Sequence, residues 1–230
     1  MRLDKYLSQA GVASRKELRA MIKSGRVTVN GETCRSPEAR IDGERAAVLV
    51  DGSPVKLPGT LVLMLHKPAG YVTSTADPRD PTVMELLPPE YAGLLPVGRL
   101  DKDTEGLLLF TNDGALNHAL TSPRHQVEKE YFAQIEGEID ETDVEAFRRG
   151  LRLRDGTRCL PAELYRTENG CRVVVREGKY HQVRRMLAAR GKPVTYLRRE
   201  REGSLRLGSL PLGEARLLTG EELELLGNLL

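Results

Sequence analysis

The pattern of apolar residues changes at residues 56–59, and this change constrains the possible folds more than any other feature of the chain. Before it, apolar residues recur at helical spacing and are followed by short alternating runs. After it, short strand-like runs prevail, and helical stretches occur among them at irregular intervals. Strands that often follow strands favour an α+β fold with a mixed, largely antiparallel sheet and flanking helices. We therefore predict two domains, residues 1–57 and residues 60–230, joined by a short linker.

The first predicted domain combines two helices with two hairpins. The first helix ends at Gly11, and the second begins at a capping box of Ser14 and Glu17 and ends at Gly25. Hairpin turns are predicted at Asn30-Gly31 and Asp51-Gly52. This domain should therefore be a compact unit of two basic helices followed by hairpins.

The second predicted domain contains more strands than helices. Strands are predicted at residues 61–66, 71–74, 107–111, 128–136, 162–167 and 172–176. Helices are predicted at residues 115–120, 141–149 and 180–190. Because the helices are few and irregularly placed, we expect them to flank the sheet rather than to connect parallel strands.

Positive charge is concentrated in two segments of a chain whose net charge is only +2. Residues 1–30 hold seven Lys or Arg against two acidic residues, and residues 176–206 hold ten against three. One such run is usually a solvated helix face, whereas two separate basic segments are typical of a protein that binds nucleic acid.

Several other classes of protein do not fit the sequence. It contains no P-loop, no dinucleotide-binding glycine motif after a strand, no serine-hydrolase elbow and no zinc-protease helix motif. The four histidines lack metal-ligand spacing, and the three cysteines lie too far apart to suggest a disulfide framework or a zinc site. With no apolar run near the length of a membrane span and no signal-peptide pattern, we expect a reduced, cytoplasmic protein.

Asp101 is a candidate functional carboxylate because of its position in the sequence. It lies between two apolar runs, and a charged loop that ends at Gly106 follows it. Such a residue can be held rigidly and still be accessible. Judged from the residues alone, it is most often a loop aspartate that caps a turn.

Four motifs change that interpretation. They are Gly98-Arg99-Leu100-Asp101 with the following Thr104-x-Gly106-Leu107-Leu108, His66-Lys67-Pro68-x-Gly70-Tyr71, Glu128-Lys129-x-Tyr131, and Gly178-Lys179-Tyr180-His181-Gln182-Val183-Arg184-Arg185-Met186. Their order and spacing resemble those of the RsuA-like pseudouridine synthases along nearly the whole chain. The amino-terminal segment resembles the αL RNA-binding motif, or S4 domain, which this family carries ahead of its catalytic domain.

The resemblance implies an enzyme that isomerises uridine in ribosomal RNA without a cofactor. Asp101 would be the essential residue, acting either as a nucleophile or as a base toward the sugar. Arg184 would lie beside it and lower its pKa by about 1–3 units, although this arginine could instead contact a phosphate. Tyr131 would stack beneath the extruded base, unless it is an ordinary core tyrosine.

Other basic residues are expected to contact RNA. Arg99 resembles the family arginine that holds the extruded nucleotide or fills the gap it leaves. Lys67 and Lys129 would bind backbone phosphates, or they are surface lysines. In the amino-terminal domain the candidates are Arg2, Lys5, Arg15, Lys16, Arg19 and Lys23.

The substrate is expected to be small-subunit (16S) rRNA, either free or in a ribosomal subunit assembly intermediate, and bound by a monomer. Residues 71–75 and 121–125 look most like the branch of the family that modifies this RNA. Large-subunit relatives share the same catalytic motifs, so that target stays an alternative. A non-catalytic RNA-binding or ribosome assembly protein is a second alternative, and a methyltransferase that lacks the expected glycine-rich loop is a weaker one.

Overall fold

A computed structural model describes residues 1–43, 45–57 and 59–227, so Pro58 of the predicted linker lies outside the described residues. The chain divides into two compact units, Met1–Thr60 and Leu61–Leu230. The α-helices of the described part are α1 (Leu3–Gln9), α2 (Arg15–Lys23), α3 (Gly114–Thr121), α4 (Glu141–Arg149), α5 (Gln182–Ala189) and α6 (Gly220–Gly227). None of these helices has the length and apolar character needed to cross a bilayer.

The first unit follows the predicted order of elements. Its described strands are β1 (Val27–Val29), β2 (Glu32–Thr33), β3 (Val48–Val50) and β4 (Ser53–Val55), paired antiparallel in the order β2-β1-β3-β4. The predicted capping box of Ser14 and Glu17 opens α2. Both predicted hairpin turns are formed, and Asn30 and Asp51 adopt positive φ there. Residues from both helices and from β1 and β3 make a single apolar core.

The second unit is built on one mixed sheet. Its described strands are β5 (Val62–Lys67), β6 (Leu95–Val97), β7 (Glu105–Thr111), β8 (Lys129–Ile135), β9 (Glu163–Thr167), β10 (Gly170–Val175), β11 (Val194–Glu202), β12 (Leu205–Arg206) and β13 (Ala215–Leu217). The order is β13-β5-β7-β11-β8-β10-β9, with β6 also paired to β7 and β12 to β11. Within the described part only β7 and β11 pair in parallel, so the predicted mixed, largely antiparallel sheet is confirmed.

Three apolar clusters cover this sheet. Residues of α4 and α5 pack against β8, β9, β10 and β11 in one cluster, and residues of α3 and α6 pack against β5 and β7 in another. A third cluster covers the opposite face of β5 and β7, and Leu100 belongs to it. Tyr131 of β8 packs against the first and third clusters, so it marks the junction between them.

Two sequence predictions about strands were wrong. Residues 71–74 form a loop with a single bridge, from Val72 to Thr82, rather than a strand. Strand β11 was not predicted, although it is the longest strand of the described part. Its second half, Arg198–Glu202, is entirely charged, and that pattern is unusual for a strand at the centre of a sheet.

Candidate active site

Asp101 lies in the connection between β6 and β7, at an open pocket of about 450 Å³. The lining comes from this connection, from strands β8, β10 and β11, and from the segment that leads into α5. Its residues are Arg99, Leu100, Asp101, Thr104, Tyr131, Val175, Glu177, Gly178, Lys179, His181, Gln182, Val183 and Leu197. The structure thus brings the predicted Asp101 and Tyr131 to one pocket, together with Arg99.

Lys67 is a buried residue that binds backbone carbonyls of the Asp101 loop. The prediction that it binds a phosphate or is a surface lysine is wrong. The side chain is fully buried at the end of β5. Its Nζ donates to the carbonyl oxygens of Pro68 at 2.9 Å, Lys102 at 3.3 Å and Thr104 at 2.8 Å. Burial lowers the pKa of this ammonium to about 8, against the opposing effect of nearby carboxylates. An ammonium placed in this way orders the loop and cannot reach RNA.

Two further contacts fix the same loop. The Thr73 hydroxyl donates to the Leu100 carbonyl at 2.8 Å and accepts from the Leu100 amide at 3.1 Å. The Gly70 amide donates to the Lys102 carbonyl at 2.8 Å. Gly70 and Thr73 therefore hold the loop on both sides of Asp101.

The His181 side chain is in direct contact with Asp101. Its Nε2 lies 3.4 Å from Asp101 Oδ1, and both side chains are about one-third exposed. Burial raises the pKa of Asp101 above its usual range, while His181 acts in the opposite direction. Asp103 also raises this pKa, and Arg184 and Arg99 lower it more weakly. The pocket therefore contains a carboxylate whose ionisation depends on its neighbours.

Arg184 does not make the direct pair with Asp101 that the sequence suggested. Its Nη2 contacts the Asp103 carboxylate at 3.0 Å and donates to the Asp103 carbonyl at 3.2 Å, and its Nη1 donates to the Val194 carbonyl at 3.3 Å. The guanidinium therefore ties α5 to the loop two residues beyond Asp101. From there it acts on Asp101 only through its charge.

Tyr131 lies on β8 next to a buried ion pair. Arg199 and Glu202 are both almost fully buried, and their side chains are 3.2 Å apart. The Tyr131 hydroxyl faces the Arg199 guanidinium, and burial raises the pKa of the tyrosine. Arg199 Nε donates to the Leu107 carbonyl at 2.7 Å. The Tyr131 ring therefore lines the pocket, with its hydroxyl on the side of this ion pair.

Of the other predicted RNA contacts in this unit, Arg99 is accessible to solvent and Lys129 is largely buried. Arg99 is exposed and lines the pocket. Lys129 is largely buried, its Nζ donates to the Val127 carbonyl at 2.9 Å, and it lies 3.8 Å from the Glu202 carboxylate. Burial lowers its pKa. Lys129 thus neutralises an interior carboxylate, and its predicted role as a phosphate ligand or surface lysine is wrong.

A polar network shapes the segment that carries His181. Gln182 is buried, donates to Glu177 at 2.7 Å and accepts from the Lys179 amide at 2.9 Å. The Lys179 ammonium also pairs with Glu177. His181 itself adopts a left-handed conformation with φ 46°. This conformation delays the start of α5 to Gln182 and turns the imidazole toward Asp101.

In the first unit, the basic residues predicted to contact RNA differ in exposure and in ion pairing. Arg2 is paired with Asp4 at 2.7 Å and with Glu38 at 3.5 Å. Arg15 begins α2, and its side chain lies outside the described part of the structure. Arg2 is nevertheless exposed, as are Lys5, Lys16, Arg19 and Lys23. The last three recur at helical spacing on α2 and make one basic face.

Comparison with known proteins identifies the catalytic unit. Residues 61–189 match the family described as RNA pseudouridylate synthase. The chain belongs to this family. Residues 1–46 match the S4 domain, so the predicted family and the predicted order of its two parts are confirmed.

Several pseudouridine synthases are similar to this chain over almost their whole length. Ribosomal small subunit pseudouridine synthase A of Vibrio parahaemolyticus is 43% identical over 99% of this chain and 100% of its own. The protein of the same name from Escherichia coli is 42% identical, with 97% and 98% covered. A crystal structure of a pseudouridylate synthase superposes with a TM-score of 0.71 at 35% identity, covering 98% of this chain and 99% of that one.

The main residue that sequence reasoning missed in this pseudouridine synthase is His181. It lies within a family motif but had no predicted role, because a histidine before a predicted helix carries no signal of what it faces. Thr104 is a second case. Its hydroxyl is buried without a hydrogen-bond partner in the structure, and the residue lines the pocket. Only the folded loop shows that both lie beside Asp101.

Proposed function

We propose that this synthase converts one uridine of small-subunit ribosomal RNA into pseudouridine, with Asp101 as its catalytic carboxylate. The observation that carries the proposal is the position of Asp101 in a pocket, on a loop held by Lys67, Thr73 and Arg184. A carboxylate held in this way has little freedom to reorient, which is what a reacting group requires.

The reaction is an isomerisation, and its atoms balance without an oxidant or a reductant. The bond between uracil N1 and the ribose breaks, the base turns over, and C5 joins the same sugar carbon. C5 loses a proton and N1 gains one. Asp101 would act on the sugar as nucleophile or as base, and either role requires its ionised form. His181, Arg184 and Arg99 each lower the pKa of Asp101 and so favour that form.

The target base must leave its stack before the carboxylate can reach the sugar. Extrusion costs a few kcal/mol, and stacking on an aromatic ring returns about 1–3 kcal/mol. Tyr131 offers such a ring in the pocket, and its hydroxyl faces Arg199. Arg99 is exposed at the same pocket, and we propose that it contacts the phosphate or the ribose of the extruded nucleotide.

The choice of small-subunit rRNA rests on similarity. Two relatives whose names specify that substrate are 42–43% identical to this chain over almost its full length. The S4 domain supplies a basic helix face suited to structured RNA. A protein with this substrate would work in the cytoplasm of a bacterium, where ribosomal subunits are assembled, and we propose that it does so as a monomer.

The test is to incubate the purified protein with unmodified small-subunit rRNA and to map pseudouridine by carbodiimide adducts and primer extension. We expect one new stop with the natural protein and none with Asp101→Asn. Asp155→Asn is the matched control, because Asp155 is an exposed aspartate of the same unit that pairs with Arg185, and its stop should persist.

Parallel reactions with partly assembled small subunits and with large-subunit rRNA separate the alternatives. A stop in large-subunit rRNA alone would replace the proposed substrate. No product on any of the three RNAs would favour a non-catalytic RNA-binding or assembly protein. A stop that survives Asp101→Asn would remove Asp101 from the centre of the reaction.

A further inference from the structure

Tyr180 is the most exposed large apolar side chain in the described part of the chain, with 74% of its surface accessible. Its ring stacks on the imidazole of His181, with centroids 3.9 Å apart and planes within 17°. His181 in turn lies 3.4 Å from Asp101. A ring so exposed, with one face covered by an imidazole, must present its other face to solvent.

The Tyr180 ring lies close to the pocket at Asp101, and this location suggests a role in binding RNA. His181 lines the pocket, and Tyr180 precedes it in the chain, so the ring lies at the rim next to the proposed catalytic carboxylate. A single-stranded RNA that crosses this rim and sends one base into the pocket brings the neighbouring base to Tyr180. The nucleotide next to the extruded one has then lost a stacking neighbour, and its base needs a new one.

The two basic residues near Tyr180 do not provide a free charge for binding RNA. Arg185 donates to the Tyr180 carbonyl at 3.2 Å and to Asp155 at 2.5 Å. Lys179 is paired with Glu177. Both neighbouring cations are therefore occupied by internal partners, and the free feature at the rim is an aromatic face. Aromatic faces bind nucleobases with little preference for sequence, since every base has a π-face.

We infer that Tyr180 is a stacking platform for the nucleobase directly adjacent to the target uridine in the RNA strand. His181 supports the platform from behind while it faces Asp101. The inference rests on the proposed function, because it assumes that an RNA strand enters the pocket at Asp101. It adds a second base-binding position, distinct from the one beneath the extruded uracil.

The first experiment measures affinity without turnover. A transcript of small-subunit rRNA is titrated with the Asp101→Asn protein and with the same protein carrying Tyr180→Leu or Tyr180→Phe. Loss of one stacked base predicts that Tyr180→Leu weakens binding by about 5- to 150-fold. Tyr180→Phe keeps the aromatic face and should bind within about twofold of the parent. Tyr165→Leu is the matched control, since Tyr165 is an exposed tyrosine on β9, away from the pocket lining, and should leave the affinity unchanged.

The second experiment identifies the base. A short RNA hairpin around the mapped uridine is made with an abasic nucleotide at each flanking position in turn. At one flank, the abasic RNA should weaken binding to the parent protein as much as Tyr180→Leu does. Combining that RNA with Tyr180→Leu should weaken binding no further, because both changes remove the same stacking interaction.

A merely structural role for Tyr180 would give a different result. If the ring only held His181 in place, Tyr180→Leu would lower the single-turnover rate at saturating RNA and leave the affinity intact. Unchanged affinity, or losses that multiply with abasic sites at both flanks, would overturn the inference. Failure of the proposed function is distinguishable, since it would show as natural protein that makes no pseudouridine in the adduct assay.

Discussion

At Asp101, burial and nearby charges act in opposite directions. Removing a carboxylate from water favours its neutral form and so raises its pKa above the ordinary 3.8, and Asp103 adds to that effect. His181, Arg184 and Arg99 favour the ionised form. Of these three, His181 has the largest effect and is close enough to contact Asp101. The pH dependence of the proposed reaction should therefore follow the pKa of Asp101, and one substitution beside Asp101 should change that pKa.

We predict that His181→Asn moves the acid limb of the rate profile to higher pH. The reaction requires ionised Asp101, so the single-turnover rate should rise with pH as this carboxyl loses its proton. His181 lowers the pKa of Asp101, so its removal should raise that pKa further. We expect a shift of about one pH unit, the lower end of the usual range for a nearby opposite charge, because both groups are partly solvated.

The measurement is a series of single-turnover rates between pH 4 and pH 8 at saturating RNA. His118→Asn is the control, because His118 is exposed on α3 and does not line the pocket. A shift of the acid limb to lower pH in His181→Asn would contradict the assignment of His181 as a favourable neighbour of Asp101.

Lys67 leads to a prediction about stability and rate together. Lys67→Met keeps most of the side-chain volume but leaves the carbonyls of Pro68 and Thr104 without this donor in the interior. Unpaired buried polar groups cost about 1–3 kcal/mol, so the catalytic unit should lose about that much stability. The Asp101 loop should loosen too, and kcat should fall more than KM rises.

Thermal unfolding and steady-state kinetics of Lys67→Met check this prediction. Lys56→Met, which changes an exposed lysine, provides the comparison and should melt with the natural protein. If Lys67→Met had normal stability but bound RNA more weakly, the prediction would be contradicted. That result would instead support a phosphate-binding role for Lys67.

The sequence identified Asp101, Tyr131 and Arg99 as neighbours only through motifs, and the structure brings them to one pocket. The sequence did not indicate that Lys67 and Lys129 are buried, because a lysine in a strand normally faces water. Their carbonyl and carboxylate partners come from distant parts of the chain. Such pairings depend on the tertiary fold and leave no local pattern.

At the scale of secondary structure, elements with local end signals were predicted well. Helix α2 begins at its capping box, α4 covers the predicted residues 141–149, and both hairpins of the first unit turn at the predicted dipeptides. These signals act within four residues, so the sequence shows them directly. Strand β11 lacks them. Arg199 and Glu202 point into the interior as an ion pair, which breaks the apolar alternation that marks a strand.

The parallel pairing of β7 with β11 depends on one glycine. Gly106 has φ +112°, and a Cβ added there would lie 2.2 Å from the Arg199 carbonyl oxygen. We predict that Gly106→Ala destabilises the catalytic unit by at least about 3 kcal/mol, because the backbone conformation is strained for alanine and the strands must separate. Activity at low temperature should fall as well, since Asp101 lies in the loop that leads into β7 and Tyr131 lies on β8, which pairs with β11.

Gly114→Ala is a matched control for that substitution. Gly114 is the first residue of α3, and a Cβ there would meet nothing within 4 Å. This variant should melt at the same temperature as the natural protein or slightly higher. Equal thermal stability of Gly106→Ala and Gly114→Ala would show that the close approach of β7 and β11 does not limit the fold.

At the scale of the whole molecule, the two units carry different parts of the proposed task. Charge on the catalytic unit is largely taken up by internal ion pairs, as Arg184, Arg185 and Arg199 show. In the first unit, Lys16, Arg19 and Lys23 are exposed on one face of α2. Exposed cations bind phosphates by releasing counterions, so this face should supply affinity while the pocket supplies chemistry.

This division predicts that affinity and chemistry can be separated by substitution. Changing Lys16, Arg19 and Lys23 together to Gln should weaken binding of small-subunit rRNA. The slope of log Kd against log salt should become shallower by about 0.7–0.9 for each phosphate that the variant no longer neutralises. The single-turnover rate at saturating RNA should stay near that of the natural protein, because none of the three residues lines the pocket at Asp101.

Filter binding over a salt series and single-turnover assays measure the two quantities independently. Arg148→Gln with Arg149→Gln is the control, since these arginines of α4 are exposed but paired with Glu145. The control should leave the salt slope unchanged, because cations already paired on the surface release few counterions. If the triple variant kept the natural salt slope, or if its rate at saturation fell with its affinity, then the α2 face would not be a separate RNA-binding surface.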